Sequence, residues 1–215
     1  MHVKEIKKYD ENKNNYLKNY FKGIAAAVVL AALAALFASS SLDATFLQWI
    51  AEVRSNRMND FFTIFTHFGS WRFLVPFGIF IIFFARRQIY RWPLSVGILA
   101  AYLFNAGIKW VVARPRPEIH PLVEAGFYSF PSGHTMVNAV FVYFVYRLVF
   151  NGSIRAGIPL ALYSILMSFS RLYLGVHYPS DIFGGYAAAV VFVLLYYAIG
   201  RTYLKRLFSA KPNDV

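Results

Sequence analysis

No cysteine occurs in the 215 residues, which removes disulfide frameworks, thiolate nucleophiles and thiolate metal ligands and leaves the redox compartment unreadable. Acidic residues are scarce too: ten Asp and Glu stand against 22 Lys and Arg, a net charge of +12. Such a surplus suits nucleic acid only if the cations gather on one polar face. Here they sit in clusters between apolar runs, so no nucleic-acid partner is expected. Internal repeats are missing, and the one biased patch, Ala-rich at residues 25–35, reads as helix packing through small side chains. What fills the chain is apolar: 58% of residues are hydrophobic and 19% aromatic, too many for an ordinary soluble domain. A single integral membrane domain is expected, with membrane lipids around it.

The chain is organised around Phe130-Pro131-Ser132-Gly133-His134, where a polar loop turns into an apolar helix. Ser132 is a good N-cap and Gly133 lets a ligand approach the backbone, so the free N–H groups and positive end of the following helix favour an anion. His134 adds a titratable ring at the mouth of that site. The same residues also suit ordinary turn chemistry.

Hydropathy predicts six spans, at about 23–41, 71–85, 92–112, 132–146, 158–170 and 181–203. Between the first two, Leu42, Phe46, Trp49, Ile50 and Val53 recur at helical spacing with Asp43, Glu52 and Arg54 elsewhere on the wheel, as in an amphipathic helix lying in the interface. Asn59-Asp60 is a candidate cap for a following helix that reaches Gly69-Ser70, where the chain either breaks before the span at 71–85 or, without a break, has that span start near Phe61. The expected architecture is all-α: a six-span bundle over 23–204, with basic tails at 1–22 and 205–215. The length of the charged leader and the spans that follow argue against a cleaved signal peptide. Alternating the sides places fifteen of the 22 Lys and Arg on one face. The charge rule makes that face cytoplasmic, with both termini, and puts the loops at 113–131 and 171–180 outside.

Those two loops and the start of the Ser132 helix then share one face. Lys109 ends the third span, Arg114 and Arg116 lie in the stiff Ala113-Arg114-Pro115-Arg116-Pro117, and Arg171 ends the fifth span. Any one of these cations suits simple snorkelling to headgroups. Several converging on a helix N-terminus repel one another unless an anion with several oxygens sits between them, and phosphate fits best. In His177-Tyr178-Pro179-Ser180-Asp181 a turn can bring the carboxylate to one ring nitrogen and fix the tautomer, leaving the other nitrogen as nucleophile or base. Asp181 also suits a helix first turn on its own account. His120, His134, His177 and Asp181 are acceptable zinc ligands, but the surrounding cations disfavour a divalent ion, so no metal or cofactor is expected.

Lys109 with six residues before Arg116-Pro117, then Pro131-Ser132-Gly133-His134, then Ser170-Arg171 with five residues before His177 and three more before Asp181, together resemble the three-part signature of the type 2 phosphatidic acid phosphatase family. The resemblance implies a metal-independent lipid phosphatase of the plasma membrane. By carry-over, His177 attacks phosphorus and forms a phosphohistidine, Asp181 orients it, and His134 protonates the leaving oxygen and then activates water. Lys109, Arg116, Arg171, Ser132 and the Gly133 N–H hold the phosphoryl oxygens. Arg114 lies outside the minimal pattern and is a candidate second-phosphate contact. Bacterial relatives of this size act on undecaprenyl pyrophosphate, phosphatidylglycerol phosphate or phosphatidic acid. An outward site and the extra cation favour undecaprenyl pyrophosphate. A phosphotransferase and a non-catalytic lipid-binding protein are the alternatives.

Overall fold

The computed structural model describes residues 2–84, 88–126 and 128–209, and every regular element among them is helical. In chain order these are α1 (His2–Ala38), α2 (Leu42–Glu52), α3 (Asn56–Phe65), a 3₁₀ turn (Thr66–Gly69), α4 (Trp71–Phe84), α5 (Gln88–Val112), α6 (Gly133–Phe144), a π turn (Val145–Val149), α7 (Ile154–Tyr173) and α8 (Pro179–Ser209). The basic tail expected at 205–215 runs beyond the described residues, and Arg86 and Arg87 lie outside them.

Three helices are long and apolar enough to cross a membrane, over Leu17–Ala38, Leu94–Val112 and Pro179–Ile199. They are scarcely buried by the rest of the protein. Large apolar side chains point outward along them, among them Val28, Val29, Leu103, Val111 and Ile199, as expected where lipid is the solvent. Of the other expected spans, α4 has 14 residues, α6 has 12 before its π turn, and α7 has 20.

α6 packs against α5, α7 and α8, and α1 lies along α8. One core, with Leu74, Ile98, Met136, Val140, Phe144 and Phe192, joins α4, α5, α6 and α8; a second, with Leu47, Ile50, Phe62, Tyr173, Leu174 and Ile182, joins α2, α3, α7 and α8. In lipid, helices meet through close packing rather than water exclusion. Gly184 and Gly185 show this: a Cβ on Gly185 would stand 2.9 Å from Thr135 Cβ, and one on Gly184 would overlap the Phe130 ring. Their bareness lets the start of α8 reach the start of α6, and Ser132 N–H donates to the Asp181 carbonyl at 3.0 Å.

Two expectations are corrected. The helix after residue 54 starts at Asn56 behind an extended Ser55 rather than at Asn59-Asp60, because Asn59 Oδ1 is needed by Tyr173 Oη (3.0 Å). α2 forms where expected but turned on its axis. Asp43, Leu47 and Ile50, at i, i+4 and i+7, face the protein, while Leu42, Trp49 and Val53 point outward with Trp49 55% exposed. Asp43, expected on the polar face, is only 4% exposed.

Candidate active site

Lys109, Arg116, Gly133, His134, Arg171 and His177 line one cleft of about 470 Å³ between α4, α5, α6 and the two polar loops. Its floor is apolar, with Leu74, Val75, Ile98 and Val137, and Glu124 stands among the loop residues of its wall. α5 delivers Lys109 from its last turn and ends at Val112, and the left-handed backbone of Ala113 (φ 51°) then turns the chain into the Pro-rich loop. Lys109 Nζ donates to the carbonyls of Tyr128 (2.8 Å) and Ser129 (3.0 Å), which leaves one ammonium hydrogen for a ligand.

Arg116 is pinned by the Gly126 and Val176 carbonyls, and its Nη1 lies 3.3 Å from His177 Nε2. Arg171 is 5% exposed; one terminal nitrogen donates to Thr66 Oγ1 at 2.6 Å, while its Nε has no partner. A buried guanidinium edge without an acceptor is costly unless an anion completes it. Ser132 caps α6, accepting from Thr135 N–H at 3.4 Å, and is wholly buried. His134 hydrogen-bonds the backbone of Thr66, so the 3₁₀ turn holds both a cation and an imidazole of the cleft.

His177 Nδ1 lies 3.2 Å from Asp181 Oδ2, which also accepts from Tyr178 N–H at 2.9 Å. With the carboxylate taking the Nδ1 hydrogen, the Nε2 lone pair is on the side of Arg116 and the cleft. Burial, then the positive charges of Arg116, Arg171 and Lys109, hold the His177 imidazole well below its ordinary value. The ring is therefore neutral at physiological pH. Burial likewise lowers the Arg116 guanidinium from its ordinary value.

Arg114 does not line the cleft. Its guanidinium is engaged by Asp181 Oδ1 (2.8 Å) and Asp43 Oδ2 (2.9 Å), so the expected second-phosphate contact is not among the residues that the fold brings to the cleft. His120 is also absent from the lining; its carbonyl accepts from Arg54 Nη1 at 2.7 Å. Sequence reasoning missed Thr66 and Asp43, both far upstream of the motifs. For Asp43 the available signal was a carboxylate in the first turn of an otherwise largely apolar helical window.

A cleft ringed by cations, with two imidazoles and an apolar floor set in a bundle of membrane-crossing helices, defines a membrane enzyme for phosphorylated lipids. The PAP2 superfamily profile matches residues 90–204. Phosphatidylglycerophosphatase B of Bacillus subtilis is 30% identical over 184 residues, covering 78% of this chain and 88% of that one. Undecaprenyl-diphosphatase BcrC of the same organism is 31% identical over 122 residues, 53% and 61% of the two chains. The crystal structure of a transmembrane PAP2-type phosphatidylglycerolphosphate phosphatase from Bacillus subtilis superposes with a TM-score of 0.69 at 29% identity, covering 84% of this chain and 97% of that one. That of Aquifex aeolicus LpxE gives 0.63 at 27% identity, over 74% and 97%. The chain belongs to the PAP2 superfamily and is a membrane lipid phosphatase.

Proposed function

We propose that this chain removes a phosphoryl group from a lipid phosphate through a phosphohistidine on His177, at the outer face of the membrane. The observation that carries the mechanism is the His177 ring held between Asp181 and the cleft with its Nε2 lone pair toward the cations. Nε2 attacks phosphorus, a P–N bond forms and the P–O bond to the lipid breaks. His134 gives its proton to the departing oxygen. Water then attacks phosphorus, passing a proton to His134, the P–N bond breaks and inorganic phosphate leaves. Lys109, Arg116, the Nε edge of Arg171 and the N-terminus of α6, with Ser132 and Gly133, take up the oxygen charge that builds in transfer.

In this reading α1, α4, α5, α6, α7 and α8 cross the membrane, α2 lies in the interface on its Leu42, Trp49 and Val53 face, residues 23–204 form the phosphatase domain, and both tails (1–22 and 205–215) are cytoplasmic. Positive charge on the inner side supports it. A cysteine placed at Glu124 should be labelled by an impermeant thiol reagent in intact cells, and one at Asn151 should not; the reverse pattern turns the protein over.

The likeness to phosphatidylglycerophosphatase B spans more of both chains than that to the undecaprenyl-diphosphatase. The extra cation that favoured a pyrophosphate is engaged elsewhere. Phosphatidylglycerol phosphate is therefore placed first and undecaprenyl pyrophosphate second. Phosphate release by purified protein in vesicles carrying each lipid decides between them; release from neither, with or without an added acceptor, overturns the phosphatase reading.

The reaction needs His177 neutral and His134 protonated, so the rate should be bell-shaped in pH with limbs that belong to the coupled pair. Because His177 is held below its ordinary value, activity is kept as pH falls through about 6.5 and lost only lower down. A kcat/KM profile whose acid limb lies above about 6.5 contradicts the assignment.

A further inference from the structure

Behind His177, on the side away from the cleft, lies a second buried charged cluster. Asp43, in the first turn of α2, accepts from Ser180 N–H at 2.9 Å, from Ser180 Oγ, and from Arg114 Nη2 at 2.9 Å. Arg114 Nη1 donates to Asp181 Oδ1 at 2.8 Å and Ser180 Oγ at 2.5 Å, and its Cζ sits 4.2 Å over the Tyr178 ring. Asp181, wholly buried, meets His177 through its other oxygen. Carboxylate, guanidinium, carboxylate and imidazole thus form one line from α2 to the cleft.

The planar fork of an arginine fixes two carboxylates relative to one another as a lysine could not. Burying such a set costs desolvation that apolar packing would avoid, so stability alone does not account for it. The charges do. Asp43, Arg114 and Asp181 sum to one negative charge, and the His177 ring gains one positive charge when Nε2 bonds to phosphorus.

The geometry points to Arg114 and Asp43 as positioning residues for the nucleophile: Arg114 holds Asp181 in the rotamer that faces His177 Nδ1, and Asp43 holds Arg114. This rests on His177 being the nucleophile. It makes α2, which lies outside the family-matched segment 90–204, part of the catalytic apparatus.

The test uses the full chain in vesicles, with kcat expressed per vanadate-binding site so that loss of folded enzyme does not enter. Asp43→Asn keeps the shape but drops a charge. It should lower kcat about tenfold with KM within about twofold, as outer-shell partners of catalytic rings do. The acid limb should move to lower pH, because His177, facing Arg116, Arg171, Lys109 and His134 in the cleft and Asp181 behind, loses part of its negative support. The double variant Arg114→Met with Asp43→Asn removes one charge of each sign, so the cluster keeps its single negative charge on Asp181 while losing the fork that holds it, and should also fall about tenfold or more. Unchanged kcat and acid limb in both variants, or loss of vanadate sites in step with activity in both, assigns the cluster to structure alone and overturns the inference. His177→Ala separates the two levels: if that variant is active, the nucleophile assignment fails, whereas if it is inactive beside normal Asp43→Asn enzyme, only the positioning role fails.

Discussion

Replacing His177 with Ala is expected to lower phosphate release more than about 10⁴-fold and to abolish any acid-labile phosphoenzyme, since no other group among the described residues of the cleft offers a lone pair beside Asp181. The ring is 2% exposed, so its removal also opens a void beside Val176 and Asp181, and a melting curve must accompany the rate. His177→Gln fills most of that void and should be equally inactive. Quenching the reaction with radiolabelled lipid phosphate in acid and in alkali reads the intermediate directly: a phosphohistidine survives alkali and is lost in acid. Substantial release by either variant, or a phosphoenzyme that survives its loss, removes His177 from the role of nucleophile.

Asp181→Asn is the second large effect, expected at about 10² to 10⁴-fold in kcat. The carboxylate serves three donors: Oδ2 takes Tyr178 N–H and the Nδ1 hydrogen of His177, while Oδ1 takes Arg114 Nη1, which also donates to Ser180 Oγ. An amide cannot copy this. With its NH₂ in the Oδ2 place it opposes the Tyr178 N–H and donates to Nδ1, which moves the His177 hydrogen to Nε2 and takes the lone pair out of the cleft. With its NH₂ in the Oδ1 place it faces the guanidinium, donor against donor. Either way the negative charge that supports a positive ring is gone. Vanadate binding should persist, because the cleft cations are untouched. A loss below about tenfold, with vanadate still bound, shows that the ring needs no such support.

The spacing of the motifs was enough to gather Lys109, Arg116, Gly133, His134, Arg171 and His177, because each lies at or near a helix end and the ends share one face of the bundle. Helix ends are what hydropathy and cap residues report best. What stayed hidden depends on contacts distant in sequence. Arg114 reads in the sequence as a second-phosphate contact beside Arg116 because the two are near neighbours in the chain. Only the fold shows that one points to the cleft and its neighbour to a carboxylate 71 residues upstream. The rotation of α2 was illegible for the same reason: its apolar residues go most of the way round, and the choice of inner face is made by Asp43, whose partners lie on other helices and loops. Asn59 likewise suited a cap locally but is held by Tyr173. Thr66 gave no signal at all, being an ordinary residue in a short turn whose value lies in standing across from Arg171 and His134.

Thr66 and Asp43 both lie before residue 90, ahead of the segment by which the family is recognised. Grafting residues 90–204 onto another membrane scaffold would carry over every signature residue and still deliver a defective enzyme, with the Arg171 and Arg114 guanidinium groups each missing a bond that the donor protein supplies from upstream. The transplantable unit is therefore larger than the recognisable one.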